Sequence, residues 1–295
     1  MTAVDLPLIP AQRAGERQAP AVITEPGVYD LPEKVYLSDP TPDGSMSSST
    51  ARRILAPGGP ARVQWERKHP VFKDAYDLGT VTHLHVLGKG AEVVEVEAAN
   101  WQTKDAKAQR DDARAEGRTP ILTKDLLKAK AMARAVLSNK QVRALGLFKE
   151  GNGLPERSIF WEDDESGITC RAMLDWLGEI PVDLKTTNDA SPEAVSKAVY
   201  SYGYDQQQDW YQAAVRGVGI DENPPFVFVF VETEAPHFVS VVELDDAFLD
   251  RGARRNRAGI ERWVQCRESG IWPGYSEDIQ TISPPRWARY EGEEL

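Results

Sequence analysis

Asp175-Trp176-Leu177-Gly178-Glu179-Ile180-Pro181-Val182-Asp183-Leu184-Lys185 is the stretch on which the reading of this chain turns. Residues 168–177 and 180–185 have the composition of strands, and a tight connection near Gly178-Glu179 folds the first back onto the second. That hairpin brings Asp175 and Asp183 together at one end of a sheet. Side chains alternate along a strand, so Asp183 and Lys185 share a face, one pleat apart. Two carboxylates and an amine then converge. Hard carboxylate oxygens suit Mg2+, with Mn2+ as a substitute, and the backbone carbonyl of Leu184 is a further candidate ligand. A divalent ion there polarises a phosphate and acidifies a water, while the ammonium of Lys185 orients that water and screens developing charge. Taken alone, a D-x-K triplet is more often a surface ion pair on a hairpin. Its meaning rests on the surrounding elements.

Upstream, residues 156–161 form another strand, joined to residues 168–177 by a turn at Glu165-Ser166-Gly167, so the three segments make a small meander. Downstream, Ser191-Pro192-Glu193 starts a helix, with Ser at the cap and Pro in the first turn. The helical pattern runs to about residue 215 with a break near Gly203, and places Gln207 and Tyr211 on one face, one turn apart. Residues 226–231 are apolar on both faces, as a central strand covered on each side requires. Residues 238–244 follow as its neighbour, and an amphipathic helix over about 245–268 turns Phe248, Leu249, Ile260, Trp263 and Val264 to the core.

Nearer the N-terminus, residues 75–87 read as a helix, 92–96 as a short strand, and 102–140 as a helical subregion over the main sheet, with Thr123 as a cap. The serine run at residues 47–50 caps a short helix carrying Arg52 and Arg53, which Pro57-Gly58-Gly59-Pro60 stops. Residues 1–45 read as an irregular leader. The expected organisation is a single domain over residues 46–295, with a helical subregion at about 100–145. Its class is α/β, with a mixed central β-sheet flanked by helices.

A hydrophobic fraction of 41% in 295 residues supports a proper core. Only two cysteines occur, Cys170 and Cys266, which excludes a disulfide framework and a four-cysteine metal site within one chain. The net charge of −11 argues against a protein that coats nucleic acid by bulk attraction, yet permits an enzyme whose cations line one groove. No apolar run reaches the length of a membrane span and no signal segment is visible. A soluble, cytoplasmic protein is expected, with no membrane partner.

The chain resembles the PD-(D/E)xK nuclease superfamily in its RecB-like branch. There a G-x-x-x-H helix precedes the sheet and a Q-x-x-x-Y helix follows it, and Gly79-Thr80-Val81-Thr82-His83 and Gln207-Gln208-Asp209-Trp210-Tyr211 stand in those places. Within the superfamily it is similar to the RecE, or exonuclease VIII, family and its phage relatives. The likeness rests on an E-x-S-x-x-W strand at Glu156, a turn into Cys170-Arg171 and Asp175, then Asp183-Leu184-Lys185-Thr186-Thr187, then Y-x-x-Q-x-x-x-Y, with Ser283-Pro284-Pro285-Arg286-Trp287-Ala288 at the close.

The resemblance covers roughly residues 46–290. It implies Asp175, Asp183 and Leu184 (through its carbonyl) as metal ligands, His83 at a metal or its water shell, and Glu156 near the metal through water. It places Lys185 beside the attacking water. Gln207 and Tyr211 then grip phosphates or brace Lys185, and Thr186 and Thr187 meet a phosphate. Arg52 and Arg53, near a helix start, suit a DNA 5′ phosphate.

The implied activity is digestion of linear double-stranded DNA from its ends, 5′ to 3′, leaving 3′ single-stranded tails for recombination by strand annealing. A homo-oligomeric ring, such as a tetramer, and a RecT-like single-strand annealing protein are the implied partners, in the bacterial host cell if the protein is phage-encoded. One departure is that the interval from Asp175 to Asp183 is shorter than the family's usual one, which implies a tighter hairpin. The alternatives are another RecB-like nuclease, helicase-associated or Cas4-like, and a DNA-binding assembly protein that keeps the fold without the chemistry. No helicase motif and no cysteine cluster accompany the first, and the intact Asp175, Asp183 and Lys185 speak against the second.

Overall fold

The computed structural model describes residues 20–69 and 77–285. In chain order the elements are β1 (Gly27–Tyr29), α1 (Glu33–Leu37), β2 (Met46–Ser47), α2 (Ser48–Ile54), α3 (Gly59–Lys68), α4 (Asp77–Leu87), β3 (Val93–Val96), α5 (Lys104–Ala115), β4 (Thr119–Leu122), α6 (Thr123–Ser138) and α7 (Lys140–Ala144). They continue with β5 (Gly153–Glu162), β6 (Thr169–Gly178), β7 (Val182–Thr187), α8 (Pro192–Tyr202), α9 (Tyr204–Gly217), β8 (Val227–Glu232), β9 (Val239–Val242) and α10 (Asp246–Ser269). The main sheet runs β1-β5-β6-β7-β8-β9, with β2 added alongside β6. Pairing is antiparallel except for β7 with β8 and β2 with β6, so the sheet is mixed, as expected.

Strand β8 shows why the sheet is covered on both sides. Phe228 and Phe230 pack into a core shared with Trp210, Tyr211, Ile260 and Trp263 of α9 and α10, whereas Val227, Val229 and Val231 pack with Met132 and Val136 of α6 and Val86 and Leu87 of α4. The alternation of Phe and Val thus sorts two helical layers onto two faces. On the first face, α10 crosses α9 and α2 at backbone contact. A methyl group on Gly252 would lie 2.4 Å from the carbonyl oxygen of Asp205, and one on Gly259 would lie 2.7 Å from that of Ala51. Arg257 of α10 also grips Asp163, in the β5–β6 turn, through two hydrogen bonds of 3.0 and 2.7 Å.

Several elements differ from the sequence reading. Residues 27–29 belong to the sheet, paired with residues 158–160 of β5. Ile23, Tyr29 and Leu31 are buried there with Phe160, so this part of the expected leader is structural. The 57–60 stretch stops α2 as expected and also starts α3, with Pro60 in the first turn, where its missing N–H costs nothing. Within the 102–140 region, residues 119–122 form a strand parallel to β3. The cap of α6 is Leu122, and Thr123 is the first helical residue, its hydroxyl buried without a partner. The expected helix start at residue 75, leader residues 1–19 and closing residues 286–288 lie outside the described residues.

Because backbone, not a movable side chain, faces Gly252, Gly252→Ala is expected to lower the thermal midpoint by several degrees. Overpacking of this kind costs about 1–3 kcal/mol, and each kcal/mol is worth roughly 2–4 °C in a chain of this size. A midpoint equal to the wild-type value in a calorimetric scan would contradict the close crossing of α9 and α10.

Candidate active site

Strands β6 and β7 pair only once, at Trp176 with Val182, and then part. The parting leaves the main chain of Leu184 without a strand partner on that side, and side chains take the place of a ladder. Leu184 N–H donates to Asp175 Oδ2 at 2.8 Å, and Leu184 C=O accepts from His83 Nε2 at 2.8 Å. The site therefore opens between two central strands, a more enclosed position than the end of a sheet expected from sequence. Asp183 and Lys185 share a face as the strand period requires, and their side chains form an ion pair.

His83 projects from α4 one turn beyond Gly79, whose carbonyl accepts from His83 Nδ1 at 2.9 Å. Both ring nitrogens thus face carbonyl oxygens, and both must donate, which requires the doubly protonated ring. Asp175 Oδ2 lies 3.2 Å from Nε2. Burial alone would lower the His83 pKa. The charge and hydrogen bond of Asp175, with the Gly79 carbonyl and Asp183 behind them, instead raise it to about 9. A methyl group on Gly79 would meet Thr186 Oγ1 at 3.5 Å, an ordinary contact, so space is not what Gly79 supplies. Its carbonyl is.

Asp183 is almost fully buried. Its Oδ1 accepts from Gln207 Nε2 at 2.8 Å, and the same amide donates to Tyr211 Oη at 2.8 Å. Gln207 therefore braces Asp183, where sequence reasoning had it on a phosphate or on Lys185. Tyr211 is largely core, packed against Phe226, with its hydroxyl steadying Gln207. Burial pushes the Asp183 carboxyl up to about 6, with Lys185 opposing the rise and Asp175 adding to it. Burial works against ionised Asp175 as well, but His83 above all, then Lys185 and the Leu184 N–H, hold it below the usual carboxylate range. Burial would depress Lys185, and the two carboxylates outweigh it and raise its pKa. The ammonium sits 4.8 Å from the ring centre of Tyr204, a cation–π contact. The sequence reading gave Tyr204 no role, although it opens the Y-x-x-Q-x-x-x-Y spacing. Its i,i+3 relation to Gln207 was the available signal.

Glu156 joins these groups by register. Pro155 pairs with Trp176 and Arg157 with Leu174, which leaves Glu156 across from Asp175. Its backbone is left-handed, with φ of 47°, a conformation that costs a non-glycine residue energy and recurs at functional positions. Burial raises its pKa, Lys89 opposing and Asp175 adding to the rise.

Among the described residues no three His, Cys, Asp or Glu side chains stand at metal-ligating geometry. The reason is visible in the partners. The His83 imidazolium lies on Asp175 Oδ2 and Leu184 O, and the Lys185 ammonium lies on Asp183 Oδ2, so protonated nitrogen covers the oxygens that a cation takes. Asp183 Oδ2 is buried, and its partner is the Lys185 ammonium. Two carboxylates beside a main-chain carbonyl are a hard-oxygen donor set that fits Mg2+ or Mn2+.

The remaining predicted residues separate. Arg52 donates to the carbonyl of Tyr202 beside the site. Arg53 is half exposed and ion-paired with Glu66 at 2.8 Å, so a 5′ phosphate would have to compete for it. Thr186 lies next to Gly79, while Thr187 bonds the backbone of Asp189 and closes a loop. His85, two residues beyond His83 and not among those predicted, stands apart, its Nε2 buried without a partner among the described residues and its pKa lowered by burial and Lys130.

Residues 59–285 match the model of the family described as a PDDEXK-like domain of unknown function (DUF3799). This chain belongs to the DUF3799 family. The match takes in His83, Glu156, Asp175, Asp183, Lys185, Gln207 and Tyr211, and leaves β1, Arg52 and Arg53 outside. No curated protein sequence matches this DUF3799 chain. The solved structure of a candidate exonuclease from Eubacterium rectale is similar over 90% of this chain and 99% of its own, with a TM-score of 0.57 and 13% identity. At that identity the likeness is one of fold. A phage-related exonuclease from Haemophilus somnus 129PT aligns over 77% of this chain and 96% of its own with 10% identity, and its TM-score of 0.33 is too low to support an argument.

The protonated His83 has two measurable consequences. Its folded pKa, about 9, exceeds the roughly 6.5 of a free imidazole. Its contribution to stability is therefore complete below about pH 6.5 and is lost as pH rises through about 9. A cation that took the Leu184 carbonyl would compete with that proton, so any Mg2+ affinity should strengthen as pH rises toward about 9. An NMR titration of the metal-free protein should show the His83 ring changing charge near pH 9, and a midpoint near 6.5 would contradict the geometry.

Proposed function

We propose that this protein is a divalent-metal-dependent deoxyribonuclease that degrades linear double-stranded DNA from its ends. The observation that carries this reading is the convergence of Asp175, Asp183 and Lys185 around the main chain of Leu184, in a family whose fold is PDDEXK-like. Asp175, Asp183 and the Leu184 carbonyl would hold Mg2+ or Mn2+, with His83 beside it and Glu156 reaching it through water. When bound, the ion supplies Lewis-acid polarisation of the phosphodiester and lowers the pKa of a water.

The chain's own residues divide the remaining work. Gln207 fixes Asp183 through Oδ1 and leaves Oδ2 to face Lys185. Lys185 keeps its proton at Nζ, held by Asp183 and by the face of Tyr204, and offers that charge to a phosphate oxygen and to the attacking water. His83 is held by Gly79 and Leu184 and would have to release the Nε2 proton for the Leu184 carbonyl to serve as a metal ligand. Arg52 and Arg53 are the proposed phosphate contacts outside this centre, with Thr186 at its border.

The RecE-like motif order supports the finer parts of the proposal. These are 5′ to 3′ polarity, 3′ tails for strand annealing, a ring-shaped homo-oligomer and a RecT-like partner. No described helix is long and apolar enough to cross a membrane.

Digestion of end-labelled linear duplex beside a covalently closed circle, with Mg2+ or with EDTA, tests the reading. Nucleotides should be released from the linear substrate only, and only with metal. Asp183→Asn should slow release roughly a hundredfold or more, and Gln207→Ala by about 10–100-fold, as for other residues that orient a metal ligand. Release by Asp183→Asn at the wild-type rate would overturn the assigned centre, and cutting of the closed circle would overturn the requirement for an end.

A further inference from the structure

The C-terminal turn of α8 presents two tyrosines to solvent, Tyr200 at 63% and Tyr202 at 61% exposure. Rings this open contribute little to a core, yet Tyr202 reaches the catalytic centre through Tyr204. Tyr202 lies 5.7 Å from Tyr204, ring centre to ring centre, and Tyr204 carries the Lys185 ammonium on its face. The two aromatic rings therefore form a continuous path from the catalytic lysine to the surface.

Guanidinium groups flank the path. Arg52 bonds the Tyr202 carbonyl, and Arg251 stacks 4.2 Å from the ring centre of Tyr200 while bonding that residue's carbonyl at 3.4 Å. The two cations differ in free charge. Arg251 is neutralised by buried Asp205, with which it forms an ion pair. Arg52 has no carboxylate partner among the described residues, and its partial burial, followed by the nearness of Arg53, lowers its pKa. A half-buried guanidinium with no carboxylate in contact, beside open aromatic faces, has the charge to meet a phosphate.

We propose that Tyr200, Tyr202 and Arg52 form a docking track for single-stranded DNA leading to Lys185. The rings stack on bases and the Arg52 guanidinium neutralises a backbone phosphate. Single-stranded DNA is the occupant because only unpaired bases can offer their faces to a ring, and stacking of this kind tolerates any sequence. In duplex DNA those faces are closed. Because Tyr202 meets Tyr204 beside Lys185, the proposal deepens the nuclease reading and depends on it for the direction of the strand.

The test is fluorescence anisotropy of a fluorescein-labelled oligothymidylate, titrated with the full chain in EDTA so that hydrolysis plays no part. Replacing both rings, Tyr200→Ala with Tyr202→Ala, should weaken binding roughly tenfold or more per ring, on the scale of base stacking. The Phe pair, Tyr200→Phe with Tyr202→Phe, should bind like wild type. Arg52→Gln should reduce the slope of log affinity against log salt by about 0.7, one phosphate's share on a single strand. Both rings are exposed, so circular dichroism should show all variants folded.

Wild-type affinity in the Ala pair, or equal competition by a closed duplex circle, would overturn the track. If DNA hydrolysis persists while the Ala pair binds normally, the track fails and the nuclease stands. If wild type does not hydrolyse DNA but the Ala pair loses affinity, the nuclease reading fails and the track stands.

Discussion

The parting of β6 from β7 after a single paired position is the constraint on which the site depends. Had the antiparallel ladder continued past Trp176 and Val182, the Leu184 amide and carbonyl would face strand partners, and Asp175 would have no donor to bond. Instead the main chain of one residue organises side chains from two other elements. Asp175 comes from β6 and His83 from α4, and both meet at Leu184. The second pairing of β7, parallel to β8 over its full length, keeps that strand fixed while its other edge is free for chemistry.

Electrostatics explains why such a centre is stable without a cation yet suited to one. Asp175, Asp183 and Glu156 are drawn together in partly or wholly buried positions, an arrangement that repels itself. His83 and Lys185 offset the repulsion and shift the neighbouring pKa values as they do so. Two cations against three carboxylates leave the cluster short of positive charge, and one of those cations, the imidazolium, can be discharged at alkaline pH, near 9. A divalent ion in the proposed site would restore the balance where the ring's proton had stood. The helical layer behind Asp183 supports this geometry. Gln207 can reach Asp183 only because α9 is held by α10, at the crossing where Gly252 lets the two backbones touch.

The parts of this structure visible in the sequence are those that repeat locally. The period of a strand put Asp183 and Lys185 on one face, the period of a helix put Gln207 beside Tyr211, and the alternation of Phe and Val around Phe228 announced a sheet covered on both sides. The unseen parts depend on distant partners. Gly27–Tyr29 is too short to show a period and becomes a strand only against β5. Thr119-Pro120-Ile121-Leu122 lies among helix formers, and Pro120 fits a strand because its only partner is β3. The bracing of Asp183 by Gln207 spans 24 residues, and the single-pair hairpin shows only as a short interval between the two aspartates. The pairing of Arg53 with Glu66 was likewise out of reach, because the helix that carries Glu66 begins at the Pro-Gly stretch read as a stop.

The claim beneath this account is that protonated nitrogens occupy the place of a divalent cation between Asp175, Asp183 and the Leu184 carbonyl. Anomalous diffraction from a crystal of the protein soaked in Mn2+ at alkaline pH tests it most directly. The account predicts a strong peak in contact with all three groups, with the His83 ring no longer bonded to Leu184. A peak elsewhere, or none at saturating Mn2+, would contradict it.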